Sequence, residues 1–551
     1  MMKNHLFIVF IVLFIMFPLF LNGQTKPFNR EFTNIKINND STTQLQNEEQ
    51  IVINPVDSLN LVGVWRDFRL GYRQVGYGYS FDGGATWGQA LFVDTLYPRD
   101  SDPGLTVDAS GNFYAVLLSY TGSTSEPNGL FVYKSTDGGV TWGGPATVIN
   151  GVPGVFEDKE LIACDRTGGA YDGNLYVTWA RFNDTQILMC RSTDGGNSFV
   201  GPVTVGDIHG VQWPVPCVGP NGEVYIAWVQ YTPGSIRFDR SLDGGATFGT
   251  DITIQSTSFI YGYINGGITV FSFPAMDVDI TGGTYNGNIY VAYMDDSPGY
   301  TDEDIYFTHS TNGGNTWSAK TRINDDPLNS GCDQFHPWLT VAPDGSIIVV
   351  FYDRRLDPGN LLMDLYMTTS ADGGNTWSVN ERITTVSSDP TAGSDSRNWA
   401  NGEFPVKLRK PEILASRAGL LGEYVGVTAS SIDNIHPIWT DTRLGNQDVF
   451  TGYRIPQGIK QRKVGKISVV DIVIFPEPFL SSLKVHFSCE REQDLKFSLF
   501  NVTGRLVLED RRHVQPGRRD FTIDCRELPG GIYFLRLVSA DFSRSFLIHK
   551  I

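Results

Sequence analysis

The sequence predicts an all-β protein, a radial repeat of four-stranded sheets forming a β-propeller of seven blades, with six as the alternative, followed by a small β-sandwich. Three observations carry this. One eight-residue sentence recurs six times, at spacings of 49 to 69 residues, about one blade with its connections. Seven runs rich in aromatic and β-branched residues accompany it, at 61–67, 113–120, 175–182, 224–231, 289–296, 347–355 and 435–443. The composition, with 59 Gly, 12% aromatic and 19% charged residues among 551, suits a turn-dense β protein.

The repeated sentence reads Ser-x-Asp-Gly-Gly-x-Thr/Ser-aromatic. Its acidic position is held by Asp82, Asp137, Asp194, Asp243 and Asp372, and by Asn312 in the fifth copy. Paired glycines permit positive φ in a tight turn, the carboxylate accepts from the turn's own N–H groups, and the closing ring wedges the turn against its neighbour. The motif resembles the Asp box, or bacterial neuraminidase repeat, of sialidase-like propellers. That resemblance implies the fold, while boxed propellers include enzymes, receptors and binding proteins.

In chain order, Lys3 and His5 precede an apolar run from Leu6 to Leu21, read as a secretory signal over residues 1–23. The propeller is placed at 24–458. Seven second strands against six boxes leave the last unit without an outer strand, and the FTNIKI stretch, residues 32–37, is expected to supply it and close the ring. Two inserts break the repeat, an aromatic one at 259–273 and a polar one at 389–411, and such loops are where binding usually sits. A basic linker at 459–467 leads to a β-sandwich at 468–551. FPEPF (475–479), LFNVTGRL (499–506), LPGGIY (528–533) and the terminal Lys550-Ile551 resemble the C-terminal sorting domain of the type IX secretion system of Bacteroidetes. That resemblance implies the type IX machinery as a partner and a secreted, extracellular or cell-surface location.

A net charge of −17 argues against nucleic acid as a partner. The expected partner is an extracellular glycan or glycoprotein, and the chain is read as a monomer. Six cysteines without C-x-x-C spacing make a zinc site an unsuitable reading; Cys489 and Cys525 either pair or remain buried thiols. No cofactor is expected, with calcium on Asp100/Asp102, Asp295/Asp296 or Asp302–Asp304 as the alternative.

If the boxes lie between third and fourth strands, function belongs on the opposite face. Asp-x-Arg recurs there at 67/69, 353/355 and 441/443. One reading makes Arg69, Arg355 and Arg443 forks for a substrate carboxylate; the other makes each pair a salt bridge inside its loop. The sialidase resemblance implies three arginines, a Tyr–Glu nucleophile pair and an Asp acid, which would fall on Tyr424 with Glu423 or Glu160 and on Asp100, beside His336 and Trp213 as substrate contacts. Two features depart from that family: the only Arg-Ile-Pro is at 454–456, after the last blade, and sialidases have six blades. The function expected is therefore binding or cleavage of extracellular glycans, as a sialidase-type glycoside hydrolase or as a non-catalytic adhesin or interaction platform.

Overall fold

The computed structural model describes residues 32–92, 96–121, 128–182, 185–299, 301–392, 421–454, 472–475, 480–489, 492–501, 506–539 and 543–550. The signal at 1–23, the linker at 459–467 and most of the polar insert at 389–411 lie outside them.

Among the described residues between 33 and 453 lie seven four-stranded antiparallel sheets. Blade 1 runs Gln46–Asn54, Asp57–Asp67, Gln74–Ser80 and Gly88–Leu91; blade 2 runs Arg99–Val107, Phe113–Tyr120, Asn128–Ser135 and Gly143–Asn150. Blade 3 runs Phe156–Cys164, Leu175–Phe182, Gln186–Ser192 and Val200–Thr204, and blade 4 Val211–Val218, Val224–Gln230, Ser235–Ser241 and Ile252–Ser256. Blade 5 runs Ala275–Val278, Ile289–Asp296, Glu303–Ser310 and Thr321–Arg322, and blade 6 Gln334–Val341, Ile347–Asp353, Asp364–Ser370 and Glu381–Arg382. Blade 7 takes Gly426–Ser431, Asn434–Asp441 and Asp448–Tyr453 from one end of this unit and Thr33–Lys36 from the other. Each first strand packs against the first strand of the next blade, and the seventh against the first, so the sheets close a ring.

Second strands are sandwiched between neighbouring blades and are buried on both faces, which is why they read as continuous apolar runs. Trp65, Trp179, Trp228 and Trp439 occupy equivalent places in four of them and are fully buried, with Tyr293 and Phe351 in two others. The closing strand is held by more than its ladder, Thr33↔Tyr453 to Lys36↔Phe450. Asn34 Nδ2 donates to Ile383 O at 3.0 Å, Lys36 pairs with Asp448 at 2.7 Å, and Asn38 Nδ2 donates to both Gln46 and Asp448 at 2.9 Å.

The repeated turns link third to fourth strands. In the first, Asp82 Oδ1 accepts from Ser80 Oγ at 2.8 Å and Thr86 N at 2.9 Å, Oδ2 accepts from Thr86 Oγ1 at 2.6 Å, and Ser80 Oγ accepts from Gly84 N at 2.9 Å. Asp137, Asp194, Asp243 and Asp372 repeat this. Asn312 keeps the geometry by reversing one bond, its Nδ2 donating to Thr316 Oγ1 at 2.8 Å. The second glycine of each turn faces the preceding blade; a Cβ on Gly314 would collide with the Phe238 ring and one on Gly374 with Phe307. These turns are joints between blades.

The aromatic insert forms a hairpin of its own, Tyr261–Ile264 against Ile268–Phe271. The C-terminal unit, from residue 457 on, has a three-stranded sheet (Ile472–Phe475, Ser482–Cys489, Gly517–Asp524) and a four-stranded one (Leu506–Val514, Gln493–Asn501, Gly531–Val538, Ser543–Lys550). Leu483, Val485 and Ile523 from the first and Phe497, Leu499, Leu535 and Leu537 from the second share one core. Cys525 is a buried free thiol.

Candidate functional site

The ladders sort the two ends of every blade. In blade 1, Gln46 and Gln74 both pair with Asp67, while Leu61 pairs with Ile53 and Ser80. The repeated turns therefore share an end with the first-to-second turns, and the starts of the first strands lie at the other end. At that end the first strands are irregular. In blades 1, 2, 3, 4 and 6 the register slips between Asn47 and Gln50, Ser101 and Gly104, Asp158 and Leu161, Gln212 and Val215, and Phe335 and Trp338. Each slip holds one non-glycine residue in the left-handed region: Glu48 (φ 60°), Asp102 (50°), Lys159 (57°), Trp213 (55°) and His336 (47°). A bulge leaves one residue out of the ladder and re-aims its side chain, and such backbone costs about 1–3 kcal/mol per residue. Five blades carry the same distortion at the same level of the ring.

Around it the innermost strands gather ionisable groups. Lys159 Nζ pairs with Asp102 Oδ2 at 3.3 Å and with Glu423, so blades 3, 2 and 7 meet at one ammonium. Arg66 bonds Glu48 at 2.9 Å and Asn47 at 2.7 Å. Asp158 accepts from Gln212 Nε2 at 2.9 Å, and Gln212 Oε1 accepts from Tyr231. Tyr424 OH reaches Pro103 O at 3.4 Å. Among the described residues, no other residue supplies a hydrogen-bond partner to either carboxyl oxygen of Glu160, at 1% exposure.

These surroundings drive the carboxyl groups apart. Burial, with Asp102 and Asp158 nearby, pushes Glu160 well above the carboxylate range, and burial raises Glu48 likewise. Asp158 is pushed up to about 7, by burial first and then by Asp102 and Glu423 against the pull of Lys159. Burial also opposes ionisation of Asp102, but Lys159 and a hydrogen bond from Glu48 outweigh it and hold this carboxyl well below its ordinary value. Acids of unlike ionisation in one site are what proton transfer needs. Burial raises the Tyr424 phenol well above its usual range.

An aromatic wall stands beside the acids. Trp213 lies 4.6 Å from Phe271 and 6.4 Å from Tyr231, Tyr231 lies 6.0 Å from Tyr261, and Tyr424 lies 6.2 Å from both Phe273 and Trp338, ring centre to ring centre. The insert hairpin supplies part of this wall, and its tip reaches blade 6, where Asn265 Nδ2 donates to Gly359 O at 2.9 Å. Asp158, Lys159, Tyr231 and Tyr261 are only partly buried.

Of the residues singled out from sequence, Tyr424, Glu423, Glu160 and Trp213 lie in this cluster. Asp100 does not face Lys159; it is fully buried inside blade 2, accepting from Ser119 Oγ at 2.7 Å, and Asp102 is the acid at the ammonium. His336 is buried against Phe335 and Tyr352, and burial lowers its imidazole to about 3, so it is neutral. Of the two readings of Asp-x-Arg, the contacts show the salt bridge inside each loop. Arg69 closes on Asp67 at 2.6 Å and Gln89 at 2.7 Å; Arg355 on Asp353 at 2.7 Å, Asn380 at 2.8 Å and Asp325; Arg443 on Asp441 at 2.6 Å and on Asn34 and Thr385 at 3.1 Å. Each guanidinium ties its loop to the outer strand of its own blade or to the connection arriving from the previous one. Asp102 enters the sequence reading only as an alternative calcium ligand, and Asp158, Lys159, Glu48 and Gln212 have no catalytic or substrate-binding role there. For all of them but Gln212 the signal is a polar and charged stretch, NEEQ (47–50), DSD (100–102) or EDKE (157–160), inside a strand that ought to be apolar.

Among the described residues no group of three or more His, Cys, Asp or Glu is placed to hold a metal ion. Asp295 is taken up by Thr257, the Ser258 and Phe259 amides and Lys320, and Asp304 by Arg322 and Asn324.

Residues 473–548 match the family described as "Secretion system C-terminal sorting domain". No curated protein matches the sequence. Among solved structures, the chain is similar to the intramolecular trans-sialidase of Ruminococcus gnavus (12% identity, TM-score 0.43, 63% of this chain and 96% of that one). It is also similar to the alpha-L-arabinofuranosidase of Fusarium graminearum (17%, 0.40, 59% and 93%) and to a protein of unknown function from Dyadobacter fermentans (15%, 0.40, 59% and 94%). The sorting domain marks the protein for secretion to the cell surface or exterior.

Proposed function

We propose that the bulged end of the ring is a carbohydrate site through which this exported protein binds or cleaves extracellular glycans. The observation that carries the reading is the set of five left-handed bulges, which bring Glu48, Asp102, Lys159 and Trp213 to one level beside Asp158, Glu160 and Glu423. Strain of this kind persists where the surroundings enforce it, and it gathers at functional sites. Carboxyl groups of unlike ionisation beside partly exposed tyrosines suit sugar hydroxyls and ring faces. In the hydrolytic form, Asp158 donates or takes a proton at neutral pH and ionised Asp102, held by Lys159, stabilises developing positive charge.

The test is retention and release of sugar by the full-length protein on a panel of neutral and acidic glycans, repeated with Asp158→Asn. Retention that weakens about tenfold or more in the variant supports the site; hydrolysis lost with retention kept makes it catalytic. No retention and no release across the panel would remove the reading.

A second reading, a protein-interaction platform, draws on a different feature. The three Asp-x-Arg loops each continue with an exposed leucine, Leu70 (52%), Leu356 (52%) and Leu444 (63%), on blades 1, 6 and 7, which are contiguous in the ring. Replacing all three by serine separates the readings, because glycan retention should not change.

A further inference from the structure

Blade 4 departs from the repeat at its outer edge. In the other boxed blades the residue after the closing ring rejoins the third strand at once: Gly88 pairs with Tyr79, Gly143 with Lys134 and Val200 with Arg191, while the Ser318 and Ser378 amides donate to His309 O at 2.9 Å and Thr369 O at 2.8 Å. Blade 4 sets a carboxyl group into that seam. The Gly249 amide donates to Asp239 Oδ1 at 3.1 Å, and the Arg240 amide donates to the same oxygen at 2.6 Å. At the position of Asp239 the other blades hold Gly78, Tyr133, Cys190, Thr308, Thr368 and Gly452, so no other blade carries an acid there.

A cavity of about 370 Å³ lies at this seam, lined by Asp239, Leu242, Asp243, Phe248, Thr250 and Ile252 among others, a volume within the range of small-molecule pockets. Asp239 is 2% exposed, and among the described residues none supplies a hydrogen-bond partner to its Oδ2. Arg240 also lines the cavity, but its guanidinium serves blade 5, donating to Gly313 O and to Asn315 Oδ1 at 2.7 Å. We propose that this cavity, at the end of the ring away from the bulges, is a second ligand site and takes a small organic cation, a protonated amine on a short apolar stem. Asp239 offers Oδ2 to the ammonium, Asp243 adds a second carboxylate, and Leu242, Phe248 and Ile252 cover the stem. Burial lifts the Asp239 carboxyl to about 6, with Asp251 and Asp207 adding to the rise, so it is ionised at pH 8. A buried carboxylate with an open oxygen gains most from an opposite charge.

The experiment titrates the full-length protein at pH 8 with pentylammonium, pentanol and pentanoate, probes that share one stem, and reads binding by saturation-transfer NMR. Pentylammonium should bind at least about fivefold tighter than pentanol, and pentanoate more weakly than either. Asp239→Asn keeps an acceptor for the two amides; it should abolish the preference for the amine and leave pentanol binding unchanged. Leu242→Ala alters a side chain that is 67% exposed, so the fold should tolerate it, and it tests the site even where Asp239→Asn does not fold. It should weaken amine and alcohol alike by about threefold, through lost contact with the stem. An amine bound no tighter than the alcohol, or not bound at all, would overturn the proposal, as would a preference that survives Asp239→Asn. Amine binding untouched by Leu242→Ala would overturn it too, because ammonium held by the acidic surface at large makes no use of that side chain.

Discussion

Asp67 is fully buried and accepts from the Trp65 indole at 2.8 Å, from the Arg69 amide at 2.8 Å and from the Arg69 guanidinium. Asp441 repeats the set with Trp439 at 2.9 Å and Arg443. Removing one partner of such a buried pair strands the other charge, so Asp67→Ala should cost about 3–5 kcal/mol, read as a shifted denaturant midpoint, with glycan retention by the folded fraction unchanged. Weaker retention at unchanged stability would return Arg69 to the site. Glu49 tests burial by pH. Its carboxyl is fully buried with one bond, from Thr440 Oγ1 at 2.6 Å, and burial lifts it to about 8. The unfolded carboxyl ionises near 4.5. Between those values only the folded state keeps the proton, so its contribution is whole below 4.5 and is lost as pH rises through 8. Glu49→Gln carries no such proton, and relative to the native protein it should gain roughly 3 kcal/mol between pH 5 and pH 8, because each tenfold fall in proton concentration across that window weakens the native fold by about 1.4 kcal/mol. A stability difference constant across this range would show that Glu49 is ionised in the fold.

Thr33–Lys36 is four residues long, yet it closes the ring, because without it Asp448–Tyr453 would be an open edge. A chain starting at Asn38 loses that ladder, the Asn34 bonds to Ile383, Thr385 and Arg443, and the Lys36–Asp448 pair, and it exposes Trp65, Ile438 and Val449, which pack on Ile37. It should melt several degrees lower and self-associate on a sizing column; a monomer of native melting temperature would mean that the ring closes without it. The elements were legible where the repeat wrote them. Seven second strands and six Gly-Gly turns announce themselves because burial on both faces demands apolar runs and the turns demand glycine. The bulges did not, since Glu48, Asp102, Lys159, Trp213 and His336 adopt positive φ with no glycine to mark it. Asp-x-Arg was ambiguous for another reason: one spacing serves a substrate fork and a seam rivet alike, and only the third partner, Gln89, Asn380 or Asn34, tells them apart.

The whole chain divides into two units, residues 1–456 and 457–551, and each contains a core of its own. In the second, Leu483, Val485, Phe497, Leu499, Leu535 and Leu537 are fully buried in a segment of fewer than a hundred residues, enough to unfold cooperatively by itself. Calorimetry on the full chain should therefore show two transitions. Ending the chain at Pro456 should delete one of them and leave the other within about 2 °C, the shift that ~1 kcal/mol causes in a domain of a few hundred residues. Because the sorting domain lies entirely in the deleted unit, the same truncation separates folding from address: the shortened protein should keep its glycan retention in vitro and yet be missing from the cell surface and the medium of the producing cell. Fractionation of cells expressing each form gives the answer. A shortened chain that still reached the exterior would place the export signal within residues 1–456, and a shortened chain that lost glycan retention while holding its melting temperature would place part of the sugar site in the second unit.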